Sequence, residues 1–299
     1  MSFASKRLFV CIANIFAIDC FPPEFGNTEQ MCCYAGGHRT CFDEIYTYEQ
    51  CCRDFDDRAV PELTGLSISF YRKLADARDG QIHRRTSMES SASDPLFEFE
   101  DHVHFFADVL TGLNASGVFV EVGVQKAHFS SNLLAALEKQ GRIGAVEKMY
   151  LVDTWEQYST YTDDGANVEN ARQIENFKES IDRTREYWGR LSFLQLDSGR
   201  AARLFDNESL AFVYLDARHD YCGVLDDIRA YWPKIQQNGL IAGDDYGWSN
   251  RWKTCANGST IVGGVKRAVH DFFSERQLSV LPALADQWAV QKPSWYGPE

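Results

Sequence analysis

The chain has no apolar run that could cross a bilayer, because none of its hydrophobic stretches reaches the roughly 18 residues that a spanning helix needs. It is also poor in basic residues, with 30 Lys and Arg against 43 Asp and Glu and a net charge of −13. Basic residues adjoin each other only in pairs such as Lys6-Arg7. An acidic surface without a basic patch repels phosphate backbones, so no nucleic-acid partner is expected.

The composition is that of a globular protein. With 44% hydrophobic and 24% charged residues, it excludes a collagen-like, coiled-coil or wholly disordered chain. A length of 299 residues suits one large domain and a small additional segment. Shifts in composition along the chain predict four parts, which are residues 1–19, 20–60, 61–95 and 96–299.

Residues 1–19 have the form of a secretory signal peptide or of an N-terminal membrane anchor. Lys6-Arg7 precedes an apolar stretch over residues 8–18, and a basic region before a short hydrophobic region is typical of such signals. Asn14 interrupts the stretch and no clear cleavage site follows, so a buried first helix or strand is the alternative. Apart from such an anchor, no contact with a membrane is expected.

Residues 20–60 are predicted to form a small segment held by disulfide bonds. Six of the nine cysteines lie within 33 residues there, at Cys20, Cys32, Cys33, Cys41, Cys51 and Cys52. So short a segment cannot build its own core, and it lacks the C-x2-C spacing that zinc sites favour. The sequence does not choose among the pairings that six cysteines allow. Because disulfides form in oxidising compartments, we expect the secretory pathway, either the lumen of the endoplasmic reticulum and Golgi or the cell exterior.

Features outside that segment are compatible with the same compartment. Cys222 and Cys255 form either one further disulfide or two buried thiols. Sequons stand at Asn114, Asn207 and Asn257, although such triplets also arise by chance.

A helix and a Ser-rich linker are predicted for residues 61–95, followed by a large domain of alternating strands and helices over residues 96–299. The strands are short apolar runs bounded by turn residues, at 118–122, 149–153, 191–197, 210–216 and 240–244. Two further runs, 278–282 and 287–291, suggest a hairpin at the sheet edge. The alternation predicts an α/β fold with a Rossmann-like, doubly wound sheet, mostly parallel and with an antiparallel C-terminal hairpin.

Acidic residues follow all five of the predicted parallel strands. They are Glu121, Asp153, Asp197, Asp216 and the pair Asp244-Asp245. Any one of them could be a helix cap or a turn residue. Together they mark the carboxyl edge of the sheet, where doubly wound proteins bind their ligands.

The turn after the first strand argues against a dinucleotide. It contains Gly123 but lacks the G-x-G-x-x-G pattern, and Glu121 would repel a pyrophosphate. The predicted ligand is therefore cationic or rich in hydroxyl groups. An NAD-dependent oxidoreductase, which shares this kind of sheet, is the least favoured class.

These motifs resemble the class I S-adenosylmethionine-dependent methyltransferases. The first matches their acid-x-Gly-x-x-x-Gly pattern as Glu121-x-Gly123-x-x-x-Ala127, with alanine in place of the last glycine. Residues 212–221 and 238–246 are similar to the fourth- and fifth-strand signatures of the branch that includes the macrocin O-methyltransferase-like enzymes. The resemblance covers residues 96–299 and leaves out the Cys-rich segment.

The resemblance implies a cofactor site for S-adenosylmethionine. Glu121 and Gly123 would lie along its methionine part and Asp153 would bind the ribose. Asp197 and Ser198 would bind the adenosine end.

The resemblance also implies the catalytic site. Asp216 would lie beside the sulfonium and the substrate, and Asp216, Asp244 and Asp245 would hold Mg²⁺. His219 is the nearest residue that could accept a proton at neutral pH, with a role in packing or capping the next helix as the alternative.

The predicted function is O-methylation of a hydroxyl on a glycan or glycosylated small molecule, with assistance from a divalent metal. One alternative is a metal-independent methyltransferase for phenolic small molecules. Another is a Cys-rich binding module attached to a degenerate cofactor-binding domain. The polar insertion at residues 155–171 is either a lid over the cofactor or a long loop. The oligomeric state is not predicted.

Overall fold

A computed structural model of the protein describes residues 95–159, 161, 167–246, 252–255, 257–262, 264–278, 280–282 and 287–297. The predicted N-terminal signal or anchor, the disulfides predicted for the Cys-rich segment, and the helix and linker predicted before residue 95 lie outside the described residues.

The part of the chain that the structure describes contains nine strands and six α-helices. The strands are β1 (Gly117–Val122), β2 (Val146–Asp153), β3 (Leu191–Gln195), β4 (Leu210–Leu215), β5 (Ile235–Gly243), β6 (Trp252–Thr254), β7 (Thr260–Val262), β8 (Leu281–Pro282) and β9 (Trp288–Gln291). The helices are α1 (Pro95–Gly112), α2 (His128–Lys139), α3 (Asn170–Thr184), α4 (Ser198–Ala202), α5 (Tyr221–Tyr231) and α6 (Gly264–Ser274).

Seven of the strands form one sheet in the order β3-β2-β1-β4-β5-β9-β8. The first five run parallel, whereas β9 is antiparallel to β5 and to β8. The predicted Rossmann-like α/β fold and its C-terminal hairpin are confirmed. The strand order reverses between β1 and β4, and such a switch point opens a crevice at the carboxyl ends of the strands.

Helices cover the sheet on both sides. One face packs against α1 and α2, and the other packs against α4, α5 and α6. The central strand β4 (LAFVYL) is buried at every residue, as expected of a parallel strand with helices on both faces. Across the first face, the rings of Phe129 and Tyr214 stack with their centroids 3.6 Å apart.

The strand boundaries differ from the prediction mainly in β5. Residues 238 and 239, which precede the strand predicted at 240–244, form a bend inside β5, where Asn238 has a φ of 62°. The backbone N–H of Asn238 donates to the carbonyl of Lys292 at 2.8 Å, and the N–H of Lys292 donates to the carbonyl of Gly239 at 2.9 Å. Pairing with a distant part of the chain therefore extends a polar segment as a strand, which local propensity does not predict.

A disulfide joins Cys222, in the first turn of α5, to Cys255, which follows β6. Of the two alternatives from the sequence, the structure has the disulfide. It fastens the antiparallel pair of β6 and β7, which the sequence did not predict, to α5. Among the helices described, none has both the length and the apolar character needed to cross a membrane.

The Cys222→Ser/Cys255→Ser variant should be less stable by about 4 kcal/mol, because the disulfide closes a loop between residues 33 apart and restricts the unfolded chain. Urea unfolding without reductant measures the difference from the wild type. In dithiothreitol the wild type loses the same bond, so the two proteins should then unfold alike. A difference that persists in reductant would assign the loss to packing at the two positions.

Candidate active site

A cavity of about 700 Å³ opens at the carboxyl ends of β1 to β5. Its size falls within the usual range for sites that bind small molecules. Each of the five parallel strands, or the turn that follows it, contributes an acid to the lining: Glu121, Asp153, Asp197, Asp216 and Asp245. The structure therefore brings together the acids that the sequence placed at five separate strand ends.

Glu121 is the most deeply buried of these acids, with 2% of its surface exposed. Its Oε2 atom has no hydrogen-bond partner among the described residues. Burial raises the pKa of Glu121 well above its ordinary value, and contact with Ser130 only partly opposes this. An unpartnered carboxyl oxygen at the cavity wall fits a ligand that carries an amino group, as S-adenosylmethionine does.

The turn after β1 passes so close to the turn after β4 that it requires glycine. A Cβ on Gly123 would stand 2.0 Å from the carbonyl oxygen of Asp216, and the φ of Gly123 is 86°. Ala127 has a φ of 58° and is fully buried. Alanine therefore adopts the left-handed conformation at the position where the resembled motif has a more permissive glycine.

The carboxylate of Asp153 holds the turn after β1 in place. Its Oδ2 accepts hydrogen bonds from the backbone N–H groups of Val124 (2.9 Å) and Gln125 (2.8 Å). Its Oδ1 accepts one from the N–H of Trp155 at 2.8 Å. Burial raises the pKa of Asp153, and these backbone donors lower it. A carboxylate accepts about four hydrogen bonds, so Asp153 can accept about one more, from a hydroxyl of the predicted ribose.

Trp155 holds the same turn from a second direction. Its indole Nε1–H donates to the carbonyl of Gln125 at 2.8 Å, and its side chain is buried. The two strand ends are thus joined through both a carboxylate and an indole.

Asp197 and Ser198 lie where α4 begins. Asp197 caps this helix, because its Oδ1 accepts from the N–H of Arg200 at 2.9 Å. The hydroxyl of Ser198 donates to the carboxylate of Asp227, a residue of α5 that the sequence did not single out. Burial raises the pKa of Asp227 to about 7. One acid in a helical pattern gives no sign that it reaches a cavity, so sequence could not have identified Asp227.

A second group of side chains forms beyond β4 and β5. The Nε2 atom of His219 lies 2.9 Å from Oδ2 of Asp245 and 3.7 Å from Oδ1 of Asp216. Asp245 reaches this position from a left-handed backbone conformation with a φ of 59°. Burial raises the pKa of Asp216, and its contact with His219 opposes the shift.

The group has the spacing of a metal site. The ligand atoms of Asp216, His219 and Asp245 all lie within 4.8 Å of one another. Two carboxylates and an imidazole fit a divalent cation that accepts both oxygen and nitrogen ligands.

The predicted metal set of Asp216, Asp244 and Asp245 is not the one that the structure groups. Among the described residues His219 is the third member, and Asp244 is not part of the group. Oδ1 of Asp244 instead accepts the backbone N–H of Asp245 at 2.9 Å. Burial, followed by the charges of Asp216 and Asp245, raises the pKa of Asp244 well above its ordinary value.

The polar insertion after β2 supplies residues that the sequence analysis did not name. Tyr158, Tyr161 and Asn167 line the cavity together with Arg218 from the turn after β4. Of the two interpretations of residues 155–171, the described part lies against the cavity, as a lid would. The unusual polarity of the insertion was the only sequence signal.

The comparisons with known proteins agree with this geometry. Residues 120–246 match the family model described as a methyltransferase domain, and the match includes every predicted cofactor and metal residue. The match identifies residues 120–246 as similar to methyltransferase domains and supports a class I S-adenosylmethionine-dependent methyltransferase. S-adenosylmethionine is the cofactor expected of such a domain. No curated protein matches the chain.

Several solved structures are similar to the chain at low identity. The O-methyltransferase NovP has a TM-score of 0.42 at 16% identity over 66% of this chain and 79% of its own. The calicheamicin methyltransferase CalS11 has 0.43 at 14% identity over 73% and 93%. An O-methyltransferase family protein from Burkholderia thailandensis has 0.41 at 10% identity over 80% and 77%.

Glu121→Gln should raise the stability of the protein and lower its affinity for S-adenosylmethionine. The raised pKa of Glu121 means that ionising the folded protein costs free energy once the pH exceeds the value of about 4.5 that the carboxyl has when unfolded. The variant should therefore be more stable than the wild type at neutral pH and similar to it near pH 4, as urea unfolding at several pH values would measure. Its affinity for S-adenosylmethionine should fall about tenfold or more, since a charge-assisted hydrogen bond is lost.

The matched control is Glu147→Gln, which changes an exposed glutamate of β2 outside the cavity lining. It should change neither stability nor affinity. A Glu121→Gln protein that is destabilised at neutral pH, or that binds the cofactor as tightly as the wild type, would contradict the role given to this carboxyl.

Proposed function

We propose that this methyltransferase transfers the methyl group of S-adenosylmethionine to a hydroxyl of a glycan or glycosylated small molecule. The observation that carries the proposal is the group of Asp216, His219 and Asp245 at the cavity that Glu121 also lines. A side chain suited to binding the cofactor and a side chain that can accept a proton then line the same cavity. Both are needed when a weakly nucleophilic oxygen attacks an activated methyl group.

The cofactor's sulfonium supplies the activated methyl group, so the chain's own residues mainly bind and orient. Glu121 attracts the amino end of the cofactor, while Asp153 and the turn at Gly123 fix the backbone on which the cofactor lies. Asp197 and Ser198 line the same cavity and would bind the adenosine end. Asp216, whose backbone meets Gly123 where the turns after β1 and β4 touch, would lie beside the reacting methyl group of a bound cofactor.

His219 is the proposed proton acceptor. An alcohol loses its proton only far above neutral pH, so its attack needs a base or an electrostatic equivalent. As the imidazole takes the proton, the carboxylates of Asp245 and Asp216, at 2.9 and 3.7 Å from Nε2, stabilise the cation that forms.

Assistance by a divalent metal is proposed at the same three residues. When bound, a cation such as Mg²⁺ lowers the pKa of a hydroxyl that it contacts. Asp216, His219 and Asp245 would hold it, and in that case His219 is a ligand and not the base. The two roles of His219 are exclusive and can be separated by chelation.

A hydroxyl-rich acceptor suits the rest of the lining. Tyr158 and Tyr161 offer phenol groups, and Asn167 and Gln173 offer amides. Tyr158 is 43% exposed, which leaves its ring face available to a sugar. The surrounding acids disfavour an acceptor that carries phosphate or carboxylate groups.

The location proposed for the enzyme is the secretory pathway. Support comes from the disulfide between Cys222 and Cys255, since such bonds persist in oxidising compartments. The Cys-rich N-terminal sequence and its preceding apolar stretch favour the same location. Cell fractionation of the full-length chain tests this location. A cytosolic protein whose Cys222 and Cys255 are free thiols before any reductant is added would contradict it.

His219→Gln should lower kcat by about a hundredfold or more while leaving the affinity for S-adenosylmethionine within twofold of the wild type, because the residue acts on the acceptor and not on the cofactor. Release of S-adenosylhomocysteine across a panel of glycans and glycosylated small molecules measures kcat, and calorimetry measures affinity. His270→Gln, on α6 and outside the cavity lining, is the control and should keep full activity.

The same assay after exhaustive treatment with EDTA decides between base and metal ligand. Activity that disappears and returns with Mg²⁺ or Mn²⁺ supports the metal-assisted reaction. Full activity without metal, with a phenolic acceptor preferred over every glycan, would replace the proposal with a metal-independent phenol methyltransferase. If the protein does not bind S-adenosylmethionine at all, the proposed function falls.

A further inference from the structure

We propose that Tyr161 is a positioning residue that connects the segment covering the cofactor cavity to the backbone of His219. The proposal rests on the proposed function, because it assigns a purpose to the placement of His219. It adds a residue that neither the family match nor the sequence motifs assign a role.

The covering segment begins where β2 ends. Thr154, Glu156, Tyr158 and Tyr161 all line the cavity, so this part of the chain runs along it and not away from it. The end of the segment that is joined to β2 is fixed by the contacts of Asp153 and Trp155.

Asparagine side chains at and before α3 hold described residues of this segment. Oδ1 of Asn167 accepts the backbone N–H of Tyr158 at 2.7 Å, and its Nδ2 donates to the carbonyls of Tyr158 (2.6 Å) and Tyr161 (2.5 Å). The side chain of Asn170, the first residue of α3, accepts the N–H of Gln157 at 2.7 Å. Two asparagines at and before α3 therefore hold Gln157, Tyr158 and Tyr161 in place.

Tyr161 contacts the turn after β4, which contains Arg218 and His219. Its phenol oxygen accepts a hydrogen bond from the backbone N–H of His219 at 3.1 Å. The guanidinium of Arg218 lies 5.2 Å from the centre of the Tyr161 ring, within the range of a cation–π contact. The ring thus contacts two successive residues of the turn after β4.

That turn is also anchored on its far side. Arg218 donates through Nε to Oδ2 of Asp220 at 2.7 Å, and Asp220 caps α5 by accepting the N–H of Gly223 at 3.0 Å. His219 therefore stands between a fixed helix start and the phenol of Tyr161. A backbone held at both sides restricts where the imidazole can point, which a proton acceptor or a metal ligand needs.

The arrangement gives the cover a role in the reaction. When the cover lies in the position described, the N–H of His219 has its phenol partner, and the imidazole is oriented towards Asp216 and Asp245. The residue that lines the cavity from the segment after β2 then also aligns the group that acts on the acceptor.

The test uses Tyr161→Phe, which removes only the phenol oxygen. Labelling the full-length protein with ¹⁵N-histidine gives signals from at most seven backbone amides, and comparison with His219→Gln identifies the signal of His219. In Tyr161→Phe the hydrogen exchange of this amide should be at least about tenfold faster than in the wild type. The kcat should fall about three- to tenfold, the effect of one hydrogen bond, while the KM for S-adenosylmethionine stays within twofold.

Two further variants complete the test. Asn167→Ala removes the hydrogen bonds that hold Tyr158 and Tyr161. It should also speed exchange at the amide of His219, although the phenol of Tyr161 is still present. Tyr187→Phe removes a phenol that donates to Glu138 away from the cavity, and it should change neither exchange nor kcat. Unchanged exchange at His219 in Tyr161→Phe would overturn the proposal, and so would faster exchange with an unchanged kcat.

The design separates this inference from the proposed function. Amide exchange at His219 is measurable without any acceptor. If no acceptor is methylated but the exchange behaves as expected, the contact stands and the proposed function fails.

Discussion

The close contact between the turns after β1 and β4 is the constraint on which the site depends. Gly123 passes against the carbonyl of Asp216 so tightly that no Cβ fits between them. The N–H of Asp216 donates to the carbonyl of Val122 at 2.7 Å, so the two strands stay paired up to the point where both turn away. Because the strand order reverses here, the turns diverge to opposite sides and leave the cavity between them. The side of the cavity proposed for the cofactor and the side proposed for the acceptor therefore meet at this backbone contact.

The acids that line this cavity lower the stability of the folded protein when no ligand is bound. Burial raises the pKa of Glu121, Asp153 and Asp216, which means that each carboxylate loses hydration without a full set of compensating cations. The backbone donors to Asp153 compensate it, whereas Glu121 keeps an unpartnered oxygen. Residues that destabilise a fold are retained where a ligand needs them. A sulfonium cofactor with an amino group, and a divalent cation near Asp245, would supply the missing positive charge.

Much of the fold could be predicted because its signals are local. Short apolar strands that alternate with amphipathic helices specify a doubly wound sheet, and the acids at the strand ends specify its binding edge. The boundaries of β5 and the pair of β6 and β7 could not be predicted, since pairing with distant residues and the disulfide at Cys255 stabilise them. The same holds for the site. The sequence singled out Glu121, Asp216 and His219, which line the cavity. Neither Asp227 nor Tyr161 stands in a motif, and both reach the cavity through tertiary packing.

The sequence by itself determined the class of fold, the edge at which a ligand binds and the acidic character of that edge, because hydrophobic periodicity and residue type express these directly. Only the tertiary structure decided what each acid does. It turned Asp153 towards the backbone of the neighbouring turn, and it grouped His219 instead of Asp244 with Asp216 and Asp245. Adjacent residues such as Asp244 and Asp245 are alike in sequence, but the left-handed backbone of Asp245 sends their side chains to different surroundings. A pattern of residue types contains no information about such a turn, which long-range contacts select.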